Sequence, residues 1–169
     1  MGGMTVRNPD SAILNYICII ALMLAPAAAS ADWAVRQATA GSPGCVLETA
    51  DITVHDGYQD TWVRLNINDE RLLVMTDSNI DAGFGDTALQ VDGNAVIPVD
   101  AVADEKNLRF HSDMAAIIEQ FRKGNKARVY LRFWPTYPVT QRYEAVFSLA
   151  GFTRTWNGYM ECKQQAPQL

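Results

Sequence analysis

Cys45 and Cys162 stand near opposite ends of the part of this chain that reads as folded, so a bond between them would close most of it into one loop. Chain-entropy arguments give such a closure, over roughly a hundred residues, a ceiling of about 4 to 5 kcal/mol, large against the stability of an ordinary domain. Whether two distant thiols become a bridge depends on the redox compartment, and the first thirty residues speak to that.

The chain opens with one cation, Arg7, offset by Asp10, and then runs through apolar residues from Ala12 to Ala25, broken only by Asn15. Pro26 and the small residues Ala27 to Ala31 follow, with Ala29 and Ala31 of the size a signal peptidase pocket takes. This is the pattern of a cleavable signal peptide, residues 1–31, with cleavage expected before Asp32. A retained membrane anchor is the rival, since the apolar run approaches the roughly 18 residues that span a bilayer. Pro26, the Ala-rich end and the missing cationic stop weigh against it. Cys18 lacks the small residue expected just before a lipidated cysteine and leaves with the signal peptide, so the exported chain holds an even pair, Cys45 and Cys162, for which a disulfide is expected. A redox pair or metal-binding thiols would need a C-x-x-C or clustered histidines, and neither is present.

Residues 32–169 suit a single β-rich domain, long enough to bury a core. The net charge of -5 is scattered, without a block of Lys or Arg, which leaves a nucleic-acid partner unsupported. Trp33 to Thr39 and Cys45 to Val54 flank the turn signal Gly41-Ser42-Pro43-Gly44 and read as a hairpin. Val63, Leu65 and Ile67 alternate with polar residues as one face of a half-buried strand, and Arg71 to Thr76 is a second apolar run. Leu89 to Asp92 and Ala95 to Val99 pair about Gly93-Asn94, with Pro98 pointing to a sheet edge. A helix is expected from an N-cap at Ser112 to Gly124, with Met114, Ile117, Ile118 and Phe121 as its buried stripe. Ala127 to Trp134 and Arg142 to Leu149 form a further hairpin, and Thr153 is set to cap a short C-terminal helix whose Trp156, Tyr159 and Met160 share a face. The whole predicts a mainly β fold, a β-sandwich or partly closed β-barrel with one inserted helix and a short C-terminal helix.

Few residues suggest chemistry. Asp77 to Gly83 has the oxygen-rich look of a calcium loop, but Ala82 stands where that loop needs Gly and Ala88 where it needs Glu, so an Asx-rich turn is expected and no metal or cofactor is assigned. His55-Asp56 and His111-Ser112-Asp113 each place a base beside a carboxylate, without a recognisable nucleophile motif. If Val129, Leu131 and Phe133 point inward, Tyr130 and Trp134 emerge on the other face, beside Val146 and near Tyr137, as a possible interaction surface.

Val91-Asp92-Gly93, then Ile117 to Gly124 (Ile-Ile-Glu-Gln-Phe-Arg-Lys-Gly), then Phe147 to Thr153 (Phe-Ser-Leu-Ala-Gly-Phe-Thr), together with the signal peptide and the early Trp33, resemble the invasion-associated locus B family of exported proteins from Gram-negative bacteria. The similarity is best from about Leu72 to Trp156. Members often carry a cysteine just after the early Trp and a further pair before the long helix, where this chain has Gln37 and the cysteine-free segment Asp104 to Phe110, so their disulfide pattern does not transfer. The resemblance implies a periplasmic or surface-associated β domain, linked in some members to entry into host cells, and brings no catalytic residues. Two functions are therefore weighed: a non-enzymatic module binding a protein or envelope component, with no stable membrane span after cleavage, and a small periplasmic hydrolase using His55 or His111.

Overall fold

The alternation at Val63, Leu65 and Ile67 is the spine of the larger of two sheets, all three side chains being fully buried. The computed structural model describes residues 1–2, 33–37, 44–135 and 141–165; the signal-peptide expectation and Tyr137 lie outside these. Among the described residues the first sheet has seven antiparallel strands: β1 (Ala34–Gln37), β2 (Cys45–Glu48), β3 (Ile52–His55), β4 (Asp60–Ile67), β5 (Leu72–Thr76), β8 (Ala101–Ala103) and β9 (Asn107–Phe110), in the order β1-β2-β4-β5-β9-β8 with β3 also on β4. The second has four: β6 (Ala88–Val91), β7 (Ile97–Pro98), β10 (Lys126–Leu131) and β11 (Tyr143–Ser148), in the order β11-β10-β6-β7. Among the described residues neither sheet closes into a barrel, and the two open sheets make the fold mainly β and sandwich-like, as expected. Pro98 does sit on an edge strand, where its missing N–H costs no ladder bond.

The segment expected as one strand from Cys45 to Val54 is two, β2 and β3, laid along the same edge of β4. Between the pairs Glu48↔Asn66 and Ile52↔Val63, Thr49 to Asp51 oppose only Arg64 and Leu65, which is the one-residue excess of a β-bulge. The bulge is held on both sides. Thr49 bonds Leu65 through its backbone N–H and its hydroxyl oxygen, and Asp51 takes a bidentate pair from Arg64 at 2.6 and 3.0 Å.

Helix α1 (Met114–Lys123) is capped by Asp113, whose carboxylate accepts from the N–H of Ala116, and not by Ser112 as the sequence suggested. Ser112 instead gives its hydroxyl proton to Asp100. Gly124 ends the helix as expected, yet in extended backbone; a Cβ there would come within 2.4 Å of Val91 Cγ1, so close packing on β6 requires the glycine. The C-terminal helix α2 (Phe152–Gln165) is the longer of the two and starts after Gly151, which is left-handed at φ 85°. Thr153 does not cap it but donates to the carbonyl of Arg122, tying α2 to the end of α1. The buried stripe of α2 is Phe152, Trp156 and Tyr159, while Met160 is 39% exposed and off that face.

Trp33, Phe121 and Phe152 meet edge to face, at 5.1 to 6.2 Å between centroids, joining the two helices to the residue just before β1. The Trp33 indole N–H is satisfied by the carbonyl of Ser148. Cys45 and Cys162 are disulfide-bonded with Cα atoms 6.1 Å apart, fastening α2 to β2 across 117 residues of sequence, as expected. No described helix is long and apolar enough to cross a membrane.

Candidate functional site

The oxygen-rich run after β5 is an Asx turn, with the N–H of Gly83 on the carboxylate of Asp81 at 2.8 Å. Its position is what makes it notable, because it joins the two sheets. Ser78 is buried, its N–H directed at the hydroxyls of Thr61 and Thr76 and its own hydroxyl at Asp56, 2.6 Å away. Burial pushes the Asp56 carboxyl upward, but the Ser78 hydroxyl and the N–H groups of Gln59 and Tyr58 outweigh it and hold Asp56 below its ordinary value. From that anchor the N–H of Ile80 reaches the carbonyl of Glu105 in the β8–β9 turn (2.7 Å), and the N–H of Asp81 reaches the carbonyl of Arg132 just past β10 (2.8 Å). The N–H of Trp134 returns to the carbonyl of Asn79 at 2.8 Å, and Ile80 and Phe133 make an antiparallel bridge.

Ile80 and Phe133 both face the core. Strand periodicity therefore turns Trp134 outward, and its side chain is 65% exposed although its backbone is pinned. Beneath it opens a cleft of about 280 Å³ lined by Asn79, Ile80, Asp81, Ala82, Glu105 and Trp134. The turn forming one wall is unusual, since its central residues Asp104 and Glu105 both adopt left-handed backbone, φ 52° and 56°, without being glycine. Next to the cleft Arg132 is clamped by Asp86 at 2.7 and 2.8 Å and lies 4.3 Å over the Phe84 ring. That pairing holds Asp86 below, and Arg132 above, their ordinary values.

Of the expected surface, Tyr137 lies outside the described residues, and of the other two Trp134 is the exposed one. Tyr130 is 9% exposed: Arg142 stacks over its ring at 4.1 Å and its hydroxyl donates to Gln90 at 2.6 Å, so its aromatic face is covered. Val146 is open, but it pairs with Arg128, six residues before Trp134, roughly 20 Å away at strand rise, so the two do not form one patch.

The two histidines lie in different settings. His55 ends β3 and borders a second cleft, about 580 Å³, where β3 and β11 run side by side; Gly57, Arg142, Tyr143 and Glu144 share its wall. The Nδ1 atom of His55 accepts the N–H of Gly57 at 3.0 Å, which puts the proton of the neutral ring on Nε2 and leaves the outward nitrogen a donor. His111 sits 3.4 Å from Asp100, whose carboxylate already takes the hydroxyl of Ser112 and the N–H groups of His111 and Ser112. The Ser112 hydroxyl thus points at a carboxylate and not at the imidazole, whereas nucleophilic catalysis needs a hydroxyl–imidazole bond. Among the described residues no group of three or more His, Cys, Asp or Glu is placed to hold a metal ion. Compared with protein-family models, curated proteins and solved structures, the chain matches none of them.

Proposed function

We propose that this chain is exported and that its β domain serves as a non-enzymatic binding module of the periplasm or cell surface, in the manner of the invasion-associated locus B proteins it resembles, contacting a protein or envelope component through the Trp134 cleft. One observation carries the reading: a large aromatic ring left open to solvent on a backbone hydrogen-bonded at both ends of its segment. Indole rings so presented are common anchors of interfaces, because they offer much contact area and lose little freedom on binding.

A small hydrolase using His55 has the larger cleft and the nearby Glu144 in its favour. The hydrogen bond from Gly57 to Nδ1 speaks against it, since a general base needs its unprotonated nitrogen turned toward the substrate.

The test is affinity capture from the native envelope fraction with the exported protein and its Trp134→Ala variant. A component retained by the first and lost by the second, at equal thermal stability of the two, supports the module. Equal retention by both would remove Trp134 from the interface. Edman sequencing of the exported protein checks the address separately: Asp32 is expected first, and a chain still holding Cys18 overturns it.

A further inference from the structure

We propose that the Trp134 cleft receives a cationic side chain, arginine or lysine, carried by a protein partner. This rests on the binding reading above and names the chemistry of its ligand.

Three observations converge. The open ring of Trp134 forms one side of the cleft, and an indole face attracts a cation better than any other side chain's ring does. Glu105, an exposed residue, lines the same cleft, so a guanidinium or ammonium laid on the indole has a formal counter-charge within reach. The surroundings are acidic as well: Asp77, Asp81, Asp86, Asp104 and Glu105 stand against Lys106, Arg132 and, near Asp86, Arg142, five carboxylates against three cations. All three are engaged, Lys106 with Asp77, Arg132 with Asp86 and Arg142 over Tyr130, and the net local charge is negative and complementary to a basic partner. The chain already shows the chemistry on itself, because Arg132 lies over Phe84, Arg142 over Tyr130 and Arg64 over Trp62. Those rings are already occupied by the protein's own guanidinium groups.

The cleft's size suits one side chain. About 280 Å³ is too small for an extended peptide and enough for a single arginine or lysine with its aliphatic stem, which would lie along Ala82 while the charged head reaches Glu105.

The experiment titrates the intact exported protein with a pentapeptide bearing one central arginine, blocked at both ends, and with the same peptide carrying citrulline, its neutral isostere. The indole N–H resonance of Trp134, assigned by its loss in Trp134→Phe, is followed by NMR, and Trp33, Trp62 and Trp156 serve as internal controls. The arginine peptide is expected to shift the Trp134 signal saturably and roughly fivefold or more tightly than the citrulline peptide, with the difference shrinking between about 0.05 and 0.5 M salt. Glu105→Gln is expected to weaken the arginine peptide about threefold at unchanged fold. Equal affinity for the two peptides, or an unmoved Trp134 signal, overturns the cation assignment. If envelope capture still depends on Trp134 in that case, the binding reading stands without it; if capture is also indifferent to Trp134, both fall.

Discussion

Asp100 shows how much a single residue can depend on partners that pattern reading does not reveal. The Ser112 hydroxyl, then the N–H groups of His111 and Ser112, bind its ionised form and draw its pKa from 3.8 to about 2. A carboxylate lowered in the folded state contributes stability that is fully present above its unfolded pKa of 3.8 and is lost as pH falls toward the folded value of about 2. Urea unfolding across pH is therefore expected to show Asp100→Asn less stable than the parent near pH 6, with the gap narrowing from about pH 4 downward. A gap independent of pH would mean that charge plays no part. The same cluster explains why Ser112 reads as a helix cap: Ser112 and Asp113 are both good capping types, and only Asp100, set beside them at the open end of the β8–β9 hairpin, decides between them. Tyr130 was hidden for a similar reason, since alternation correctly turns it away from the core and says nothing of Arg142 arriving over its ring.

At the level of elements, periodicity located what is half-buried and failed where turn chemistry is atypical. β4, β5, β10 and β11 stand close to where alternating apolar residues put them, and α1 where its stripe of Met114, Ile117 and Phe121 does. The hairpin β8–β9 was not anticipated, because its turn uses Asp104 and Glu105 in left-handed backbone where Asn or Gly would have announced it. The expected long strand broke at Thr49 to Asp51 because a bulge leaves no mark in hydrophobic alternation that is unambiguous from one chain. The disulfide was legible from the even cysteine count together with the expectation of export. Its contribution can be separated from that of α2 packing, since Phe152, Trp156 and Tyr159 bury the helix independently and the Tyr159 hydroxyl donates to Asp69. Burial, and next the Asp69 carboxylate, push the Tyr159 hydroxyl up to about 12, so this link persists across the neutral range. Replacing both cysteines by alanine is expected to lower stability by about 2–5 kcal/mol while the helix content measured by circular dichroism holds at low temperature. A cost below about 0.5 kcal/mol would place the stabilisation of α2 in its packing alone.

Across the whole molecule, the segment from Asn79 to Ala82 does two things at once. It fastens the seven-stranded sheet to the four-stranded one through Ile80 and Phe133, and by the same alternation it presents Trp134 at the surface. Structure and candidate site therefore share a backbone but separate by side chain, which gives a clean comparison of neighbours. Phe133 is 2% exposed, packs 5.7 Å from the ring of Tyr143, and is expected on truncation to alanine to cost about 3–5 kcal/mol in thermal or chemical unfolding. Trp134→Ala removes a larger side chain from the adjacent position and is expected to cost less than about 0.5 kcal/mol, because the ring it removes faces solvent. Similar losses for both would make Trp134 part of the packing and would take from the cleft the one feature that sets it apart. A sharp contrast would mean that the fold spends a large aromatic residue where stability gains nothing from it, and a surface of that kind is most simply explained by what it touches.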